Sequence, residues 1–291
     1  MLLKKGIIRI WLESVYGFFK LLLLKILDLT SVLPLRLRYA FTDVLSGMAF
    51  LLLGSKRRAV RYNLSLVLKR PPALRDIWMV FREYGRYWAE FPGLSSFWST
   101  MPRVYEGDLF PPHDKRFLGL TFHIGNFEIF GHELHDRFGS YFHVIAERLK
   151  PQKLADYFRD KRRENHIETI SHDDARGILR VLKRGETLGI VCDRIISGKG
   201  VKANLFGRQV SLPLNIVSHA LDSGVPVYIA YCVKDDGKLK IISRRIDGSQ
   251  GVQCALEKIS AALEDAVRLY PHQWHVLSPL KCFSRAQAVR Q

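Results

Sequence analysis

The sequence predicts an α/β fold: a mostly parallel central sheet flanked by helices, preceded by an amphipathic, membrane-anchoring helical region. Three observations predict it. From about residue 115 onward, short β-branched and aromatic runs alternate with segments of helical length, the pattern of strands joined by helical crossovers. Residues 1–70 carry thirteen Lys/Arg against three acidic residues and also hold the longest apolar runs. The whole chain, 291 residues at 47% hydrophobic and 25% charged, is long and apolar enough for a sizeable core, which excludes wholesale disorder and collagen-like repeats.

The first region, 1–70, places Ile7-Ile8, Phe18-Phe19, Leu21 to Leu24 and Ala49 to Leu53 beside Lys4, Lys5, Arg9, Lys20, Lys25 and Arg36. Apolar and cationic residues sharing one segment suit an anionic membrane surface. A spanning helix needs about 20 nearly uncharged residues. Arg9, Glu13, Lys20, Lys25 and Asp28 interrupt every window before residue 35, and Val44–Ser55 is too short. No small-x-small cleavage site follows a clean apolar core, so a retained anchor fits better than a signal peptide. The competing reading is a buried helical hairpin with snorkelling lysines.

Residues 71–114 read as a helical connector, continuous with the core, in which Trp78, Phe81, Tyr84 and Trp88 recur at helical spacing. The α/β core, 115–291, offers strands at 117–122, 141–147, 167–170, 187–193, 226–233 and 239–246. Helices are expected near 127–138, 151–165, 173–184, 212–223 and 251–269. Asp173 or Ser171 would cap the third of these helices and Gly185 would end it. Cys192, Cys232, Cys254 and Cys282 form no CxxC pair, which fits reduced thiols rather than a zinc ribbon or a disulfide scaffold.

In open α/β sheets the chemistry sits beyond the carboxyl ends of the strands. The first core strand ends in His123, followed by Ile124-Gly125-Asn126-Phe127-Glu128. Gly125 permits a tight turn and Asn126 can cap the next helix, so Glu128 would fold back toward the imidazole. A carboxylate on one ring nitrogen fixes the tautomer and leaves the other as a base. That suffices to activate an alcohol against an acyl thioester, with no covalent enzyme intermediate and no cofactor. The metal alternatives are poor. In GHELHD, His132 and His135 stand three apart rather than the four a zincin needs, and Glu128 with His132 reads better as two solvated helix residues. There is no G-x-S-x-G elbow, P-loop or G-x-G-x-x-G.

FHIGNFE (Phe122 to Glu128) resembles the H-x4-D/E motif of the bacterial lipid A biosynthesis acyltransferases, lauroyl/myristoyl type, and of the related phosphatidylinositol mannoside acyltransferases. SVLPLRLRYAF, RRAVRYNL and FREYGRYWAE are similar to the family's amino-terminal segments. VIAERLKPQKL with KRREN, and GIVCDRIISGKGVKANLFGRQVSLP, are similar to its site-lining ones, and GVPVYIAY with YPHQWHVL to its close. The resemblance implies transfer of a fatty acyl chain from acyl-CoA or acylated acyl carrier protein to a hydroxyl of a membrane glycolipid, at the cytoplasmic face of the inner membrane. By the same resemblance His123 is the general base and Glu128 its orienting carboxylate. Glu147 and Arg162 line the site, and Arg162 and Arg194 are candidates to hold phosphate. Asp193, at a strand end, would pair with an arginine or cap the next turn. Arg194 after Asp193, and the HQWHVL tail, are closer to the mannoside branch than to the lipid A one.

Two other classes stay open on sequence alone. A catalytically silent lipid-presenting module would make His123 and Glu128 structural. A basic nucleic-acid binder would use the net charge of +17 with interleaved aromatics, but the cations cluster where the chain is most apolar and no nucleic-acid motif appears.

Overall fold

The computed structural model describes residues 17–108, 116–195 and 200–282. Segment 1–16, with Lys4, Lys5, Arg9 and Glu13 of the expected anchor, lies outside the described residues. Helix α1 covers 17–30, followed by α2 (Leu35–Leu52), α3 (Gly54–Val67), α4 (Leu74–Glu90) and α5 (Leu94–Thr100). Among the described residues no single helix is long and apolar enough to cross a membrane. Helices α2 and α3 meet at a 94° bend.

The core strands follow as β1 (Arg103–Gly107), β2 (Leu118–Thr121), β3 (Phe142–Ala146), β4 (Ile167–Ser171), β5 (Leu188–Val191), β6 (Val201–Leu205), β7 (Arg208–Leu212), β8 (Val227–Asp235) and β9 (Lys238–Ile246). The helices between and after them are α6 (Phe130–Phe138), α7 (Gln152–Glu164), α8 (Ala175–Lys183), α9 (Asn215–Asp222) and α10 (Val252–Leu269). Seven strands form one sheet in the order β1-β9-β8-β2-β5-β3-β4. Every neighbouring pair is parallel except β8–β9. That exception has a local cause: Asp236 and Gly237 both adopt positive φ, the two-residue turn that matches the twist of a hairpin.

Both faces of the sheet are covered, so the central strands are apolar in both directions. Along β8, Val227, Ile229, Tyr231 and Val233 join the core beneath α8, α9 and α10. The alternate residues Tyr228, Ala230 and Cys232 join the smaller core with Leu94, Phe97, Phe130 and Leu134 of α5 and α6.

The expected mixed, mostly parallel architecture is therefore present, with details that differ from expectation. The connector is helical through α5 but ends in β1, an edge strand exposed along its length and so without an alternating pattern to announce it. The crossover from β5 to β8 contains an antiparallel hairpin, β6–β7, closed by Phe206 and Gly207 at positive φ. The cap of α8 is Asp174, whose carboxylate accepts from the Gly177 N–H, rather than Asp173 or Ser171.

Candidate active site

Strands β2 and β5 lie side by side in parallel register, with Thr121 opposite Val191 and the Cys192 N–H donating to the Thr121 carbonyl at 2.8 Å. Two residues further along each chain stand His123 and Asp193, so the register itself delivers an imidazole beside a carboxylate. His123 Nδ1 lies 2.6 Å from Asp193 Oδ1. The other carboxylate oxygen accepts from the His123 backbone N–H at 3.1 Å and from the Trp274 indole N–H at 2.9 Å. Asp193 is 0% exposed. Burial alone would raise its pKa, but the His123 charge and these donors outweigh burial and hold it below the usual carboxylate value. The His123 side chain remains 19% exposed.

This corrects the expected pairing. Glu128, in the 3₁₀ turn Phe127–Ile129, makes no hydrogen bond to His123 among the described residues. Instead it accepts from Arg162 of α7, Nε at 3.1 Å and Nη2 at 2.7 Å to Oε1. Desolvation works against the Arg162 cation, yet the Glu128 carboxylate keeps its pKa above the ordinary value. Phe158, one turn earlier on α7, lies 5.8 Å beneath the guanidinium. Among the described residues Asp193 likewise pairs with His123 and Trp274 rather than with an arginine, and the segment from Ile196 that it was expected to cap lies outside the described residues. Glu147 is exposed just beyond β3 and pairs with neither arginine expected for it: Arg148 faces Asp173 at 3.5 Å and Arg162 is held by Glu128. Arg194, next to Asp193, is exposed. His132 faces Asn165 at 2.9 Å and Ser95 at 3.3 Å, so the Glu128–His132 spacing brings the two residues to different partners.

The turn carrying His123 is held from two sides. Gly125 adopts φ +58° and packs so tightly on β8 that an added Cβ would sit 1.9 Å from the Cys232 carbonyl. The Asn126 N–H donates to that same carbonyl at 3.0 Å. From the other side the tail Gln273-Trp274-His275 closes over the turn. The Gly125 N–H donates to the Gln273 carbonyl, the His275 N–H to the His123 carbonyl, and His275 Nε2 faces the Gly125 carbonyl at 3.0 Å. Burial, helped by the nearby Lys234 cation, pulls the His275 imidazole down to about 3, so it is neutral at physiological pH. Trp274 and His275 are functional-site residues that sequence reasoning missed. They lie about 150 residues downstream of the turn they clasp, and only the resemblance of YPHQWHVL to the family's close marked them at all.

A buried carboxylate on Nδ1 of a ring that remains partly exposed is an arrangement able to take a proton from a hydroxyl. The family model described as bacterial lipid A biosynthesis acyltransferase matches residues 9–280, nearly the whole chain, and the chain belongs to that family. Two phosphatidylinositol mannoside acyltransferases of Mycobacterium tuberculosis are similar to it. One, from strain H37Rv, is 26% identical over 246 residues, covering 76% of this chain and 75% of the relative. The other, from strain CDC 1551, is 26% identical over 239 residues with the same coverage. The protein is thus an acyltransferase.

Proposed function

We propose that this member of the bacterial lipid A biosynthesis acyltransferase family is a membrane-associated O-acyltransferase. It moves a fatty acyl chain from an acyl thioester, acyl-CoA or acylated acyl carrier protein, to a hydroxyl of a membrane glycolipid of the lipid A precursor or phosphatidylinositol mannoside type. The observation that carries the chemistry is the 2.6 Å contact between His123 and the fully buried Asp193. His123 Nε2 takes the proton of the acceptor hydroxyl as its oxygen attacks the thioester carbonyl. Asp193 stabilises the resulting imidazolium. As the C–S bond breaks, the thiolate leaving group takes that proton back, which restores the base. Glu128 fixes Arg162 and so seats α7 against the turn, leaving guanidinium Nη1 for phosphate of donor or acceptor; Arg194 is a second such cation.

Membrane association is supported by an inverted helix. On α2 the buried positions are Arg38, Thr42 and Ser46, whereas Leu37, Phe41, Val44, Met48 and Leu51 form an exposed apolar stripe at i, i+4, i+7, i+11, i+14. Phe18, Phe19, Leu22, Leu23 and Leu29 of α1 are exposed as well, with Lys25, Arg36, Lys56, Arg58 and Arg61 exposed nearby in the chain. An apolar surface of that extent with a cationic rim fits an anionic bilayer, here the cytoplasmic face of the inner membrane. The test is direct. Purified protein in anionic vesicles, given radiolabelled acyl-CoA or acylated carrier protein, is offered a phosphatidylinositol mannoside or a lipid A precursor. Label in the glycolipid is expected; intact thioester with every donor–acceptor pair contradicts the proposal.

A further inference from the structure

The buried Glu90 is an acid that the reaction above does not use. It closes α4 and is 0% exposed. An isolated carboxylate at such depth is costly, so its partners matter. The Tyr39 hydroxyl of α2 donates to Oε1 at 2.6 Å, the Lys234 ammonium of β8 to the same oxygen at 2.6 Å, and the Asn126 amide to Oε2 at 2.7 Å. Lys234 is also 3.3 Å from Glu83. Asn126 lies in the turn between His123 and Glu128, and its Oδ1 has no partner among the described residues, so Glu90 provides the side chain's polar anchorage there. Beside it, Arg38 of α2 donates to the Ala89 carbonyl, and α2 crosses α4 so closely that a Cβ on Gly85 would meet Ser46 Oγ at 2.0 Å.

We infer that Glu90 is a positioning residue for acyl transfer, resting on the reading of His123 as base. Through Asn126 it fixes the turn that aims the imidazole, and through Tyr39 it ties that turn to α2, the helix with the outward apolar stripe. One buried carboxylate thus joins the surface proposed to meet the membrane to the turn that carries the base. Each arm is one hydrogen bond long and can be cut separately.

The experiment compares Glu90→Gln, Asn126→Ala and Tyr39→Phe with the unaltered protein and with His123→Ala. It uses radiolabelled palmitoyl-CoA and a phosphatidylinositol mannoside, presented in anionic vesicles and in detergent micelles. Thermal unfolding and the ¹⁵N resonances of the His123 ring are recorded alongside. In vesicles, Glu90→Gln and Asn126→Ala are expected to lower kcat by about 10- to 100-fold, the scale of a misaimed reacting group, with KM within about twofold. The His123 resonance should shift or broaden in both. Tyr39→Phe is expected to lower the vesicle rate while leaving the micelle rate and the His123 resonance in micelles unchanged. Should Glu90→Gln fail to fold, Asn126→Ala decides. Full kcat and an unmoved His123 resonance in a folded Asn126→Ala, with His123→Ala inactive, overturn the role of Glu90 alone. Full activity of His123→Ala overturns the base assignment and this inference with it. Equal rate losses in vesicles and micelles for Tyr39→Phe overturn the tie to α2.

Discussion

Helices α2 and α10 are both 18 residues long and are built in opposite senses. Helix α10 turns Ala255, Leu256, Ile259, Leu263, Ala266 and Val267 inward, as a helix in water does. Helix α2 turns Arg38, Thr42 and Ser46 inward toward α4, with Arg38 donating to the Ala89 and Glu90 carbonyls and Thr42 to the Arg38 carbonyl of its own helix, and leaves Leu51 and Leu52 73% and 76% exposed. Apolar exposure to water costs free energy, and we propose that the outward face of α2 meets a different solvent. On that proposal the molecule has two parts that can be disabled one at a time: a sheet proposed to carry the chemistry and a helical face proposed to meet the bilayer.

The largest expected effect breaks the chemical part alone. His123→Ala should lower acyl transfer by about 10²–10⁴-fold while leaving vesicle binding intact. Near-normal turnover would remove His123 from its role, and lost binding would mean that the two parts are not separable. Next, the same change made on the two helices sharpens the contrast. Leu263→Ala should cost about 2–5 kcal/mol of stability, because that side chain is fully enclosed. Leu51→Ala should cost less than about 0.5 kcal/mol, measured by denaturant unfolding in detergent-free buffer; comparable losses would mean that α2 packs against something in water. The double change Leu51→Asp with Leu52→Asp should weaken flotation with anionic vesicles by at least about tenfold, since each buried Leu contributes roughly 1.5–3 kcal/mol. Unchanged flotation would move the contact to another surface.

A further effect is on pH. The His275 ring has its pKa depressed from 6.5 to about 3 in the native state, so on acidification the unfolded chain takes up a proton there before the native one does. Stability should therefore fall by about 1.4 kcal/mol per pH unit below pH 6.5, continuing toward pH 3. The depressed Asp193 adds a loss of the same sign, confined to more acid pH because its native pKa lies below that of the free carboxylate. Unfolding midpoints at pH 7.5 and 5.5 check this, and His275→Gln should flatten the dependence. An unaltered slope in that variant contradicts the assignment.

Much of the fold was legible because its signals are local. Six strands and five helices of the core follow from runs of β-branched residues and helical spacing. Strand β1 was not legible, since an edge strand exposed on both faces has no alternation to read. The site was half legible. His123 and Asp193 each stand at the end of a recognisable strand, but their contact depends on which strands are neighbours and in what register, a property of the sheet that links residues 70 apart. Glu128 drew attention as the nearest acid in sequence, whereas proximity along the chain does not decide which acid faces the ring. Glu90 sits in an aromatic helix, and its one visible signal is a lone acid at the end of a buried face.

The proposed chemistry is a proton relay from an acceptor hydroxyl through His123 steadied by Asp193. Lipid mass spectrometry tests it most directly, on cells lacking the gene and complemented with the unaltered chain, His123→Ala or Asp193→Asn. One glycolipid lighter by a single acyl chain is expected in the deletion, restored by the unaltered chain and by neither variant at matched protein level. Full restoration by His123→Ala would contradict it.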